Sequence, residues 1–483
     1  MKRKKIVLAL VAAGLCAGAL PAHAAAGDAD RIAQLEKQLK MLQEQVEAMK
    51  KSAATSQEVA DLRDQVTAQG KEAVVAGDIP NSFRIPGSDT SIHIYGVAEM
   101  NMIHEFKGDN SGSDYSTFAP SIPLNGSTNA SRQGQTYLHG RTSRIGIEGM
   151  TPTPYGQAMF KVEGDFNNDP RTGNSAVTGD VKNISTQQQT NSYDFRLRHA
   201  YLQVGPWLIG QTWSTFMDVD NTPETVDFNG PIGSTFLRQP QIRYTYTTPK
   251  YGNFSAAVEN SASYVLAKNT NLTPNAYEAS TAGFSRVPDL VVRWDKPYDW
   301  GSMSLRAVSH ELRVNGTLYD LNTNGTNANT SRRGFGLAAS GQIKTVGDDF
   351  ISWIVTGGNG IGRYFNYIEG AVYNRDSNNI EMERTAGLVL GYQHKVSDQL
   401  RLNFVYGTQK TYNNSYTDYA YAHASDLGDT VNRRVSQFHI GGFYSPIKVM
   451  DLGLEYIYGK RETILGNDGN MSRINFLARY NLN

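Results

Sequence analysis

The sequence predicts an all-β fold, a 16-stranded antiparallel transmembrane β-barrel preceded by an N-terminal periplasmic α-helical coiled coil. Three observations predict it: apolar residues change period from 3.5 to 2 near residue 91, sixteen alternating segments follow, and the connections between those segments alternate short and long. The 483 residues are 39% apolar with no formal net charge, which excludes disordered, collagen-like and nucleic-acid-binding classes. Mean hydropathy is −0.45, and after the N-terminus no run reaches the ~18 residues that a membrane helix needs, so helical transporters and receptors are excluded.

Lys2 to Lys5 followed by the apolar stretch Ile6 to Ala19 and Ala22-His23-Ala24 reads as a secretory signal peptide over 1–24. Cys16, the only cysteine, leaves with it, so neither a disulfide nor a thiol catalyst is expected. Cleavage removes four of the 46 basic residues and no acids, which leaves 42 Lys+Arg against 46 Asp+Glu, about −4. From Ile32 the apolar residues Ile32, Leu35, Leu39, Leu42, Val46 and Met49 recur in steps of three and four, a heptad seam. The seam weakens over 51–56, then resumes in shifted register at Val59, Leu62 and Val66 before Gly70. A coiled coil over 28–70 implies an oligomer; the alternative is one amphipathic helix packed on its own protein. Residues 71–90, with Gly77, Pro80, Pro86 and Gly87, read as a linker to a barrel over 91–483.

Ile92, Ile94, Gly96, Ala98 and Met100 alternate with His93, Tyr95, Glu99 and Asn101, and later segments repeat the pattern, as where Leu452, Leu454, Tyr456 and Tyr458 oppose Asp451, Gly453 and Glu455. Strands are expected at 91–106, 134–149, 156–167, 192–205, 207–217, 241–248, 252–261, 287–295, 301–313, 332–343, 348–357, 384–394, 398–411, 433–445, 449–461 and 470–481. Short connections such as Thr151-Pro152-Thr153-Pro154, Gly205-Pro206 and Ser445-Pro446 carry turn chemistry. Between them lie long polar connections at 107–133, 168–191, 218–240, 262–286, 314–331, 358–383 and 412–432, and a shorter one at 462–469. An outer-membrane barrel combines an even strand count, short periplasmic turns and long extracellular loops, because hydrocarbon admits only closed, fully paired strands. The even count returns both ends to the periplasmic side, where a coiled coil fits. Tyr95, Tyr155, Trp207, Trp294, Trp300, Tyr392, Tyr444 and Tyr458 fit an interfacial girdle or ordinary turn packing.

Sixteen strands leave an aqueous lumen, so the default function is diffusion. Alternation places Arg144, Arg196, Arg198, Arg243, Arg293, Arg306, Arg401, Arg473, Arg479 and Lys161 on the inner wall beside Glu99, Glu148, Glu163, Asp165 and Glu455. Each cation is either held in a cross-strand ion pair or part of a constriction that favours anions. Arg144, Arg196, Arg198, Arg243, Arg293 and Lys161 are the expected pore-lining residues. The stretch 217–231 has two prolines and four acids, with Val226 and Phe228 as apolar anchors. It reads as a constriction loop carrying Asp218, Glu224, Asp227 and Phe228, folded into the lumen so that its acids oppose the arginines across a transverse field. The alternative is an acidic loop packed over the rim or against a neighbouring subunit.

Arg196-Leu197-Arg198-His199-Ala200-Tyr201, Gly210-Gln211-Thr212-Trp213-Ser214-Thr215-Phe216-Met217-Asp218, Pro223-Glu224-Thr225 and Asp227-Phe228-Asn229-Gly230-Pro231 resemble the DcaP-type trimeric outer-membrane porins. Ser143-Arg144-Ile145-Gly146, Arg238-Gln239-Pro240-Gln241-Ile242-Arg243-Tyr244 and Glu455-Tyr456-Ile457-Tyr458-Gly459-Lys460-Arg461-Glu462-Thr463 extend the resemblance, which runs from the coiled coil to the C-terminus. The resemblance implies a homotrimer of sixteen-stranded barrels, a periplasmic coiled-coil extension and a basic pore for small anionic solutes such as dicarboxylates. One departure is the final Tyr480-Asn481-Leu482-Asn483, where such barrels end on an aromatic; it bears on recognition by the insertion machinery, not on the fold.

No enzyme is expected. The histidines His93, His104, His139, His199, His310, His394, His423 and His439 are scattered, with no HExxH, paired-Cys site, GxSxG or P-loop, so neither a metal nor a cofactor is implied. Gly357-Gly358-Asn359-Gly360-Ile361-Gly362 lacks the βαβ context of a phosphate loop. Two other functions stay open: a tether to the cell wall through the coiled coil, and an outer-membrane hydrolase with Ser and His on the barrel exterior. Expected partners are outer-membrane lipid and lipopolysaccharide, further copies of the chain and small anions, with no nucleic acid.

Overall fold

A computed structural model describes residues 36–44, 47, 75–108, 119–168, 193–269, 276–279, 282–320, 323–365 and 370–482. The chain divides into two compact units, 1–74 and 75–483. In the first, 36–44 and 47 are helical, with Leu39, Met41 and Leu42 exposed. The signal peptide, the rest of the expected coiled coil and residues 71–74 lie outside the described residues.

The second unit is a closed sheet of sixteen antiparallel staves, and each expected strand has its counterpart. They are β1 (Ser91–Lys107), β2 (Gln135–His139 and Arg144–Thr153, one interrupted stave), β3 (Gly156–Asn168), β4 (Asp194–Val204), β5 (Trp207–Trp213), β6 (Arg238–Thr248), β7 (Gly252–Glu259) and β8 (Asp289–Tyr298). They continue as β9 (Gly301–Asp320), β10 (Thr323–Lys344), β11 (Phe350–Asn359), β12 (Arg384–Lys395), β13 (Leu400–Tyr412), β14 (Asn432–Ile447), β15 (Met450–Thr463) and β16 (Asp468–Leu482). Neighbours in sequence pair in turn, and β16 closes on β1 with Arg479 opposite Glu99.

The two faces differ as the alternation requires. On β15, Leu454, Tyr456 and Tyr458 are 54%, 40% and 41% exposed, whereas Glu455 and Ile457 between them are buried. Exposed apolar side chains on a sheet with no free edge are stable only against lipid, which leaves every backbone group paired while the apolar face meets hydrocarbon. Tyr155, Trp207, Trp300, Tyr392, Tyr444 and Tyr458 are exposed. Tyr95 instead turns inward, donating its hydroxyl to Glu163 at 2.8 Å, so it is a wall residue and not part of a girdle.

Three boundaries depart from the sequence reading. Residues 75–90, read as linker, hold a short ribbon in which Val75–Ala76 pairs with Phe83–Arg84, and that strand pairs with Ser91 and Ile92 of β1. The expected loop 314–331 is a β-hairpin that carries the β9–β10 ladder on to Asp320 opposite Thr323. Val314 and Ala328 in it are buried against Val265, Leu312 and Tyr373, so its burial comes from contact with neighbouring loop segments and not from a lipid-facing alternation. Finally, β5 ends at Trp213 and β6 starts at Arg238, which lengthens the connection between them to 214–237. At the long-loop end, the short strands Leu266–Asn269, Ala276–Ala279, Ala371–Asn374 and Asn379–Met382 form a separate sheet. It packs Val372 with Tyr416, Leu427 and Ile464.

Candidate functional site

The segment 214–237 folds into the barrel and lies along the inner wall. At its start Glu259 of β7 accepts hydrogen bonds from the Ser214 hydroxyl at 2.6 Å and the Thr215 amide at 2.7 Å. Phe216 is fully buried against Tyr364, ring centroids 5.3 Å apart, so a second inward turn at 361–365 props the first. Asp218 then takes Arg293 at 3.3 Å, Asn221 at 2.6 Å and the Ser340 hydroxyl. Arg293 and Arg306 also donate to the carbonyls of Met217 and Phe216, at 2.5 and 3.2 Å.

Further along, Glu224 accepts both arms of Arg401, at 2.7 and 2.8 Å. Glu455 of β15 receives the backbone amides of Val226 and Asp227 at 3.1 and 3.0 Å, while Val226 packs on Phe443 and Leu477. The chain turns near Gly230 and returns past Gln437, which accepts the Ile232 amide at 2.8 Å. The wall is shaped for this return. A Cβ on Gly407 of β13 would come within 2.2 Å of the Ile232 carbonyl. Gly233 has φ of +96° and its own Cβ would meet the Thr408 carbonyl at 2.6 Å, so a side chain is excluded on both sides of the contact.

This geometry corrects the expected transverse field. Asp218 and Asp227 are 1% and 2% exposed, with Asp227 in the field of Arg473, and Glu224 is bound to Arg401. Asp218, Glu224 and Asp227 are engaged by the wall that holds the loop, whereas Asp220 is exposed and lines a cavity with Arg243. Arg293, expected in the pore lining, belongs to the same anchorage, with Asp295 at 2.6 Å as its second partner.

What the loop brings to the opposite wall is Phe228. Its ring centroid lies 5.8 Å from the Arg196 guanidinium carbon and 5.9 Å from that of Arg198. Arg196 forms a bidentate pair with Asp165 at 3.0 and 2.8 Å; Arg198 reaches Glu163 at 2.6 Å and Asp165 at 2.8 Å. Arg144 is 3.9 Å from Glu163, the loosest of these contacts. Sequence reasoning quoted Arg238 within a motif without assigning it a role. Its guanidinium stacks 3.6 Å over the Trp213 ring and 5.4 Å from Phe236, makes no ion pair among the described residues, and lies in the field of Arg144, Arg196 and Arg198. The expected connection over 218–240 leaves Arg238 outside the wall, whereas the structure places it at the start of β6. Pro240 sits opposite Gln211 at the rim of β6, where a missing amide is tolerated.

The remaining expected residues lie nearer the short-turn end. Lys161 pairs with Glu148 at 3.3 Å, which makes it a neutralised wall residue. Arg243 has no ion pair among the described residues and faces a cavity of about 480 Å³ lined also by Trp213, Asp220, Arg293 and Asp295. Arg196 and Arg198 thus face the loop tip, with Arg144 and Arg238 in the same field and Glu163, Asp165 and the Glu99–Arg479 pair beside them, and Arg243 lies further along β6. Among the described residues no cluster of His, Cys, Asp and Glu is arranged to hold a metal.

A family model described as DcaP outer membrane protein matches residues 20–482. Among solved structures, the outer membrane channel DcaP of Acinetobacter baumannii aligns with a TM-score of 0.65 at 24% identity, covering 84% of this chain and 100% of that one. OmpT of Vibrio cholerae aligns at 0.47 and 14% identity, over 81% of this chain and 97% of that one. No match is found among curated proteins. The family match leaves no stave of the barrel outside it, and the chain therefore belongs to the DcaP outer membrane protein family.

Proposed function

We propose that the barrel is a porin for passive diffusion of small anionic solutes, dicarboxylates among them, with its constriction between Phe228 and the arginines of β2, β4 and β6. One observation carries this reading: Arg196 and Arg198 face Phe228 of the loop and Arg144 and Arg238 lie in the same field, where Glu163 and Asp165 accept the close ion pairs and Glu99 is taken by Arg479, leaving positive charge in excess. An excess of fixed positive charge in a narrow aqueous path lowers the barrier for anions and raises it for cations. Aromatic faces beside guanidinium groups give an organic anion an apolar surface next to the charge. Reversal potentials in planar bilayers under a potassium chloride gradient, with and without succinate or phthalate, test it. Anion preference that weakens as salt rises is expected, and cation preference refutes it.

The same reading includes removal of residues 1–24 on export, a homotrimer, and a periplasmic coiled coil over 28–70 that joins the three copies. The heptad seam through Leu35, Leu39 and Leu42 supports the last. A chain lacking 28–70 that still conducts as a trimer makes the helix an accessory; conductance with a detached envelope makes it a tether.

A further inference from the structure

The outer face of β12 to β15 carries a charge pattern that the channel reading does not use. Leu390, Tyr406, Phe438 and Tyr458 are exposed and are successive cross-strand neighbours, so they form a continuous apolar and aromatic row around this part of the barrel. Residues of the same parity further toward the long loops share that outward face. Two positions on, Thr408, Ser436 and Lys460 follow, with Ser436 opposite Lys460. Four positions on, Lys410 stands directly opposite Arg434, and six positions on, Arg384 stands opposite Tyr412. At about 3.4 Å per residue, the cations begin about 7 Å beyond the aromatic row and extend to about 20 Å measured along tilted strands, the depth at which hydrocarbon gives way to headgroups.

Two cations directly opposed on a sheet repel each other, because their Cβ atoms are about 5 Å apart. Lys410 and Arg434 are the one such pair on the outer face among the described residues. The carboxylates on this face do not neutralise it. Asp468 is taken by Lys460 at 3.1 Å, and Glu462, the neighbour of Arg434 on β15, makes no ion pair with it within 4.0 Å. Arg384, Lys410, Arg434 and Lys460 therefore face two acids, and the Lys410 ammonium is held 5.1 Å over the Tyr412 ring. The threonine and serine below are bonded to each other at 2.8 Å, which leaves a flat polar step beneath the cations.

We propose that this face is a binding site for the phosphate groups of an outer-leaflet glycolipid, the phosphorylated glucosamine headgroup of lipopolysaccharide. Phosphate supplies what the pair lacks: a doubly charged group whose oxygens accept from a forked guanidinium and from an ammonium together. Acyl chains below it run over the Leu390–Tyr458 row, so one molecule meets both the charge and the apolar belt. The site lies outside the lumen and does not depend on the selectivity of the pore.

The test uses the full chain in detergent micelles and reads binding of bisphosphorylated lipid A, its dephosphorylated form and inorganic phosphate by native mass spectrometry. Wild type is compared with K410Q/R434Q, and with K250Q as a distant control; unchanged single-channel conductance shows that each variant is folded. The expected result is at least tenfold tighter binding of the bisphosphorylated lipid than of the dephosphorylated one, lost in K410Q/R434Q and kept in K250Q, with no competition by inorganic phosphate at equal concentration. Equal binding by wild type and K410Q/R434Q, or equal binding of the two lipids, overturns the proposal. So does effective competition by inorganic phosphate, which makes this a soluble-anion site, and so does a changed oligomeric state in K410Q/R434Q, which makes the cations a contact between copies.

Discussion

Replacing Arg144 and Arg238 with glutamine removes the charge excess at the constriction while sparing the pairs of Arg196 with Asp165 and of Arg198 with Glu163. Neither substitution breaks a close ion pair, since Arg144 is 3.9 Å from Glu163 and Arg238 is stacked on Trp213. A hydrated solute that passes beside these groups comes to within about 6 Å of each charge, near enough for it to act directly. One unit charge at about 6 Å in water contributes about 0.7 kcal/mol, so two excess charges favour a monovalent anion by about 1.4 kcal/mol, about tenfold. A Debye length of about 8 Å at 0.15 M salt reduces this to about 0.7 kcal/mol, about threefold, and one of about 3 Å at 1 M reduces it to about 0.2 kcal/mol. The cation is disfavoured by the same amount, so R144Q/R238Q is expected to lose about a tenfold anion-over-cation preference at 0.15 M and only about a twofold one at 1 M. The assay is the reversal potential across a bilayer under a salt gradient, with circular dichroism to show an intact barrel. A variant that keeps the wild-type preference at 0.15 M, or differs from wild type as much at 1 M as at 0.15 M, refutes the assignment of charge selection to these arginines.

Two further perturbations address the loop and the short-turn end. In G407V the new side chain meets the Ile232 carbonyl, so the returning limb of the loop must leave the wall; overpacking of this kind costs about 1–3 kcal/mol, and single-channel conductance is expected to change at least 1.5-fold in a barrel that still shows a folded band on gels. Unchanged conductance in folded G407V contradicts the loop placement. In the turn between β10 and β11, Asp349 accepts from the His394 ring at 2.8 Å, the Tyr392 hydroxyl at 2.7 Å and the Lys395 amide at 2.8 Å. Those hydrogen bonds, His394 first, hold its carboxyl down at about 2. Because the folded value lies below the unfolded value of about 3.9, the stabilisation is complete above about pH 4 and is lost as pH falls through about 2. D349N is thus expected to unfold at a lower temperature than wild type at pH 7, with the gap closing only between pH 4 and 2; a gap already closed at pH 5 contradicts it.

The barrel was legible because lipid enforces its own pattern. Each stave that crosses hydrocarbon must alternate, so a single sequence carries sixteen repetitions of one signal. Where the sheet leaves the membrane the signal vanishes, and the β9–β10 extension through Val314–Asn315 and Ala328–Asn329 could not be told from a loop. The ribbon at 75–90 was hidden for the same reason. Parity also assigned the inner wall, but not which inner charges cancel. That depends on the path of 214–237, and its imprint lies in residues unlikely for a wet wall: Gly387, Gly391 and Gly407 where the loop approaches closely, and Ile354, Val389, Val405 and Phe443 where the alternation is apolar on both faces. Inward-facing Gly and Val on β11 to β14 mark the covered half of the lumen, and uninterrupted polar residues mark the half left open to water.

On the proposed function, the use of the acids explains how a chain with no formal net charge presents a basic constriction. Asp218, Glu224, Glu259 and Glu455 all bind the loop, by its side chains or through its backbone amides. Asp218, Glu259 and Glu455 are buried by this and Glu224 is neutralised by Arg401, whereas Arg238 and Arg243 have no such partner among the described residues. Net charge is a sum over the whole surface, but a diffusing ion within a Debye length responds only to what it passes. Fixing the loop with acids and leaving arginines on the facing wall separates the two signs in space without any requirement on composition. Selectivity then follows from where the loop is pinned, so substitutions at the anchors should alter ion preference even though none of them touches the solute.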